Sequence, residues 1–218
     1  MKAVANRYYV LCQEKVFIRS LLSGFFLLFI SFLIMNFAGK YASLMAGNPV
    51  NDLILDNLPL RDVTLFHVNA AIIFWTIFTI YTLLNPAFIP FITKSAALFI
   101  LIRCAFISMT HLGAPPNQLS IPDNFSSLVL FDGDLFFSGH VGGPFLMMLI
   151  FWNKTILRYI CLAAAVFFAY TVLIGHIHYS IDVFAAPFIT YGIFHIGQFL
   201  FASDYQRLKS ELTSSTGN

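Results

Sequence analysis

Two acids, a serine and a histidine stand among four glycines in Phe131-Asp-Gly-Asp-Leu-Phe-Phe-Ser-Gly-His-Val-Gly-Gly-Pro144, directly before the apolar run Phe145 to Trp152. Ser138 is placed to cap a helix that continues into that run, and Pro144 is tolerable only in its first turn or as a kink. A helix start presents unpaired backbone N–H groups and the positive end of the helix dipole, which suits a phosphate. Gly139 has no side chain to hold an anion away from that backbone. His140 would stand beside the anion, able to give or take a proton.

The second stretch with chemistry in it is Gly175-His-Ile-His-Tyr-Ser-Ile-Asp-Val183. His178 and Asp182 are four apart, so on a helix they share a face. Asp182 accepting from one ring nitrogen leaves the other as a lone-pair nucleophile, and its charge stabilises a cationic phosphohistidine. The alternative is a structural His–Asp pair at a helix entry. Arg103 lies within an apolar run, where a charge costs roughly 2.5–3.5 kcal/mol at mid-bilayer on insertion scales. Its planar fork would clamp two phosphate oxygens, or it pairs with an aspartate to pack the bundle. His67 and Asn69 either line the cavity or pack, and His195 reads as a helix–helix hydrogen-bonding residue. His176, His178, Asp182 and His140 are ligand types that zinc accepts, although no spacing demands a metal. A proton-coupled transporter is a third reading, against which the ionisable groups gather at one face instead of spacing across the bilayer.

The elements that must position these residues are membrane helices. Of 218 residues, 59% are hydrophobic and 10% charged, against roughly 25% charged in soluble domains. A net charge of +2 gives no basic case for nucleic acid. Cys12, Cys104 and Cys161 are widely spaced and form no metal or disulfide pattern. The basic Met1 to Arg19 segment leads into an apolar run too long for a cleaved signal peptide, which reads as a retained anchor. Six candidate spans follow: Val16–Ala38, Val63–Leu84, Ser95–Met109, Leu135–Trp152, Ile156–Ile174 and Ile181–Ala202. They predict one all-α membrane-embedded domain over residues 1–218, with an N-terminal segment 1–15, a six-helix bundle 16–202 and a tail 203–218.

Lysine and arginine placement orients the bundle. Lys2, Arg7, Lys15 and Arg19 precede the first span; Lys94 falls between the second and third, Lys154 and Arg158 between the fourth and fifth, and Arg207 and Lys209 after the sixth. The opposite loops hold only Lys40 and Arg61. Both termini are therefore expected in the cytoplasm. Asp132, Asp134, His140, His176, His178, Asp182, Arg103 and His67 then converge on the other, extracytoplasmic face, periplasmic or luminal.

Gly133-Asp134-Leu-Phe-Phe-Ser138-Gly139-His140, followed by His176-Ile-His178-Tyr179-Ser180-Ile-Asp182-Val183, resembles the third and fourth motifs of the sphingomyelin synthase family, within the type 2 phosphatidic acid phosphatase superfamily. Leu58-Pro59-Leu60-Arg61-Asp62 and the Arg103 to Pro115 segment are weaker echoes of its first two motifs, in the same order. The resemblance implies a six-span bundle of that superfamily's kind and a catalytic triad of His140, His178 and Asp182. Arg103, Asp134, Ser138, Gly139, His176 and Tyr179 are then expected at the substrate. The implied reaction moves a phospho-headgroup from a glycerophospholipid donor to a lipid hydroxyl such as ceramide, with neither cofactor nor metal. The runner-up is a lipid-phosphate phosphatase with water as acceptor. Asp132 stands where the family has cysteine, and Arg61 where it has proline. Phosphatases of the superfamily carry an arginine at the position of Val172, and the spacing from Lys94 to Arg103 does not fit their first motif, so the chain sits nearer the transferases.

Overall fold

The computed structural model describes residues 2–115 and 136–214. Within them the chain forms eight α-helices and no strand: α1 (Lys2–Leu11), α2 (Lys15–Leu44), α3 (Thr64–Leu84), α4 (Ile89–Met109), α5 (Gly139–Ile150), α6 (Thr155–Ile174), α7 (Ser180–Leu200) and α8 (Ala202–Ser214). Five of them, α2, α3, α4 (with its lead-in from Pro86), α6 and α7, are long and apolar enough to cross a bilayer. A helix of 21 residues, such as α3 or α7, rises about 31 Å, close to the ~30 Å of a hydrocarbon core. The protein is an all-α, multi-pass membrane bundle.

Three expected spans differ from their sequence outlines, the first by running past Ala38 to Leu44, which takes Lys40 into α2 and out of the loop after it. The third begins at Ile89, behind a single 3-10 turn at Pro86–Phe88, and takes Lys94 into its second turn. Lys94 is therefore buried inside the bundle and not in a loop. Its charge is met by Asp204 of α8 at 2.7 Å. The fourth span is described only from residue 136, and its helix α5 has 12 residues, about 18 Å of rise and short of a full crossing. It survives at that length because protein, not lipid, surrounds it. Val141 to Pro144 and Leu146 to Ile150 are all buried, against α6 and α7. Pro144 lies inside α5, which leaves the carbonyl of His140 without its usual intrahelical donor.

Glycine makes that central position possible. A Cβ on Gly142 would lie 2.8 Å from the ring of Phe99 on α4 and 2.8 Å from Thr190 Oγ1 on α7. Small residues act likewise where α2 packs along α4, with Gly24, Ser31, Ala38 and Ala42 buried on one stripe of α2. Phe25, Phe26, Phe29 and Phe37 of α2 are exposed, as a lipid-facing surface requires.

The two ends of the bundle differ in what ties them. At one end the termini meet the α3–α4 connection: Arg7 donates to Asn85 Oδ1 at 3.1 Å, and Arg207 to Glu14 Oε2 at 2.6 Å. At the other end the loop after α2 reaches the start of α7, where Ser180 N–H donates to Asp52 Oδ2 at 2.7 Å. His67, His140, His176 and His178 lie at this second end.

Candidate active site

The site is built where α5 and α7 both begin. Backbone joins them first: Ser138 N–H donates to the carbonyl of Asp182 at 3.0 Å. The first intrahelical bond of α5 runs from Gly142 N–H to Ser138 O at 2.9 Å. The amides of Gly139, His140 and Val141 therefore precede the helical ladder, as the first donors of any helix do. Ser138 has the extended backbone of an N-cap, yet its hydroxyl makes no cap hydrogen bond, which corrects the sequence expectation. That hydroxyl is buried with no partner among the described residues. A buried hydroxyl left unpaired at a helix start is what an anion would satisfy.

His140 follows on the first turn of α5. Its ring packs edge-on against His67 of α3, with centroids 4.4 Å apart. His67, His178 and Arg103 all lie within electrostatic reach of it. Arg103 is buried on α4, and its Nε donates to Phe137 O at 2.8 Å. The same guanidinium lies against Gly139, where a Cβ would sit 3.4 Å from Nε. Arg103 thus borders the start of α5 instead of the lipid. Asp134, expected beside it, lies outside the described residues, as does Asp132.

On the α7 side, His178 Nδ1 is 3.5 Å from Asp182 Oδ2. That is longer than a formed N–H···O bond of about 2.7–3.2 Å, in keeping with catalytic pairs that tighten around substrate. Asp182 is wholly buried; Oδ2 also accepts from Tyr179 N–H at 3.0 Å, and Oδ1 has no partner.

His176 and Tyr179, expected at the substrate, direct their polar atoms into the frame. Ile177 N–H returns to Val172 O at 2.9 Å and His176 N–H to Leu173 O at 3.1 Å, a Schellman ending for α6. His176 takes the left-handed position of that motif, with φ 50°, where glycine is usual. Its ring Nε2 lies 3.1 Å from Leu58 O. The Tyr179 hydroxyl donates to Gly113 O at 3.0 Å and accepts from Val50 N–H at 3.1 Å. His195 is exposed on α7 and stacks edge-on with Tyr191, away from these groups.

Asp52 is a contributor that sequence reasoning missed. Its Oδ1 accepts from Ile54 and Leu55 N–H at 2.9 and 3.0 Å, while Oδ2 caps α7 through Ser180. Burial works against its charge, but the N–H groups of Leu55, Ser180 and Ile54 outweigh it and hold the carboxyl below the usual carboxylate range. An acid among turn residues gives no local sign that it caps a helix so far along the chain.

An apolar cavity of about 550 Å³ reaches the start of α5, and Ser138, His178 and Asp182 are not among the residues that line it. Arg103, Gly139 and His140 line one end, and Thr82, Leu83 and Ile89 the other. From Ile89 to Arg103 along α4 is about 21 Å, more than the ~15 Å half-thickness of a hydrocarbon core that one acyl chain fills.

Residues 133–199 match a family model described as PAP2 superfamily C-terminal. The matched segment carries Ser138, Gly139, His140, His178 and Asp182. No curated protein matches the chain. The match supports the PAP2 superfamily, with it phosphatase- or phosphotransferase-type activity on lipids in general, and the helical membrane bundle that such proteins share.

Proposed function

We propose that this chain is a lipid headgroup phosphotransferase acting as one membrane-embedded unit, with its site on the extracytoplasmic face. The observation that carries the reading is the start of α5. There a buried Ser138 hydroxyl has no partner among the described residues, and His140 and Arg103 line the mouth of an apolar cavity long enough for an acyl chain. A phosphate at the helix start and a tail in the cavity describe a phospholipid. The excess of Lys and Arg at the end holding both termini supports the sidedness.

His178 Nε2 attacks phosphorus, its Nδ1–H directed at Asp182. The N–P bond forms as the bond to the diacylglycerol oxygen breaks, and His140 delivers its proton to that oxygen. Diacylglycerol leaves. The hydroxyl of the acceptor lipid then attacks phosphorus and yields its proton to His140, and the N–P bond breaks to restore His178. Arg103, Ser138, Gly139 and Asp134 hold the phosphate and headgroup, and His176 and Tyr179 fix the loops around it. No step calls for a metal or cofactor.

Transfer, not hydrolysis, is favoured by charge. Among the described residues Arg103 is the only lysine or arginine lining the cavity, and Val172, where the superfamily's phosphatases carry arginine, is fully buried in the core. One cation suits the single charge of a phosphodiester better than the near-double charge of a phosphomonoester. Purified protein given headgroup-labelled phosphatidylcholine should move label to ceramide and release diacylglycerol in equal amount. Inorganic phosphate released from phosphatidic acid without any acceptor lipid would overturn transfer in favour of hydrolysis.

A further inference from the structure

His67 stands in the first turn of α3 and is 4% exposed. Its Nδ1 lies 2.9 Å from Thr171 Oγ1 on α6. That hydroxyl donates to Phe168 O at 3.1 Å. A threonine hydroxyl has one proton to give, so with it committed to Phe168 it accepts from His67. That donation assigns the proton of His67 to Nδ1 and the lone pair to Nε2. Nε2 is buried with no partner. A buried acceptor held unpaired by an otherwise satisfied ring calls for a donor. The ring packed edge-on against it is His140, whose own nitrogens make no hydrogen bond among the described residues.

Resting on the reaction proposed above, we infer that His67 is the positioning residue for His140. When His140 takes the proton of the attacking hydroxyl, its N–H turns onto the Nε2 lone pair of His67, which steadies the imidazolium. His67 keeps its Nδ1 proton on Thr171 throughout, and no proton settles on Nε2. The proton on His140 passes to the next departing diacylglycerol, so the count closes over one turnover. The groups around His140 explain why its partner is neutral. Arg103 reaches it from α4, His178 from the entry to α7 with Asp182 behind it, and His67 from α3. A carboxylate at the place of His67 would hold the proton on His140 too firmly for a group that must act as acid and base in turn. Asp182 serves His178, a nucleophile that gains from the charge.

The test is the kcat, KM and pH profile of the full-length protein in nanodiscs with labelled phosphatidylcholine and ceramide, for wild type, His67→Phe, His67→Gln and Thr171→Val. His67→Phe keeps a ring and removes the acceptor. Its kcat should fall about 10- to 100-fold with KM little changed, and the alkaline limb of its profile should move to lower pH. His67→Gln, which offers an amide oxygen at similar reach, should recover most of the rate and return the limb toward the wild-type position. Thr171→Val frees the tautomer and should show a smaller shift in the same direction. A folded His67→Phe with wild-type kcat and an unmoved limb overturns the inference, as does His67→Gln failing equally with no shift. If His67→Phe does not fold, Thr171→Val decides, and an unmoved limb there is fatal. A wild type that forms no phosphohistidine with any phospholipid overturns the functional reading and this inference together.

Discussion

Two buried polar clusters occupy opposite ends of one apolar bundle, and only one of them is complete. At the end holding the termini, Lys94 Nζ reaches Asp204 Oδ2 at 2.7 Å and Ser20 Oγ at 2.6 Å, while Ser20 donates to Asp204 Oδ1 at 2.6 Å. Each side-chain polar atom of the trio has a partner in the triangle. At the histidine end, Ser138 Oγ, Asp182 Oδ1 and His67 Nε2 are buried with none. Both clusters bear the desolvation cost of polarity among apolar helices. Only the first recovers it within the folded protein. The first cluster therefore fastens α2, α4 and α8 together, and the second holds the open polar atoms that the proposed lipid phosphate would meet.

The largest expected effect tests the unfinished cluster. His178→Ala should abolish the phosphoenzyme and lower turnover by about 10⁴-fold or more, read by alkaline quench after labelled donor. Normal turnover in that variant would remove the chemistry from this end. The finished cluster should answer in stability instead. Lys94→Ala strands Asp204 in the interior and should cost about 3–5 kcal/mol. The double change Lys94→Met with Asp204→Leu should restore most of it, with turnover per folded molecule as in wild type. Melting curves and active-site counts decide this, and a specific loss of chemistry in the double variant would erase the contrast between the two ends.

That contrast was only partly legible in the chain. Spans of some twenty apolar residues announce themselves, and α3, α6 and α7 lie within a residue or two of their sequence outlines. A short helix such as α5, sheathed by protein, carries no such length signal. His178 and Asp182 could be paired from sequence because only four positions separate them, although His178 precedes α7 and does not lie on it. Lys94 and Asp204 could not, with 110 positions between them, so a buried charge was read as a loop charge. His67 and Thr171 are 104 positions apart, and Asp52 caps a helix 128 positions away. Types and local spacing thus picked out the proposed nucleophile and its carboxylate, but not the supports that reach across the bundle. The His-X-His pattern that singles out His176 likewise gave no sign that its backbone ends α6 and that its ring meets Leu58 O.

Ser138 offers a finer probe of incompleteness. Its hydroxyl bonds to nothing among the described residues, so Ser138→Ala should leave melting unchanged or slightly raised. If the hydroxyl donates to a charged phosphate, the same variant should lose about 1.5–3 kcal/mol of substrate interaction, seen in kcat/KM. A destabilised Ser138→Ala with unaltered kinetics would place that serine with the finished cluster.

The smallest effect separates a satisfied group at the histidine end from its unsatisfied neighbours. Asp52 accepts three backbone N–H groups and caps α7, so Asp52→Ala should cost about 0.5–2 kcal/mol. Its carboxyl is held below the ordinary range because those donations outweigh the burial that opposes them. A group depressed on folding contributes stability that is full above its unfolded value, about 3.9, and is lost as pH falls through the folded value. The melting-temperature gap between wild type and Asp52→Ala should therefore stay constant from neutral pH down to about 4 and narrow only below that. A gap unchanged into strong acid would mean that the cap works through contact alone. The His178–Asp182 pair would then owe its placement to packing of the outer loop, not to a carboxylate holding the first turn of α7.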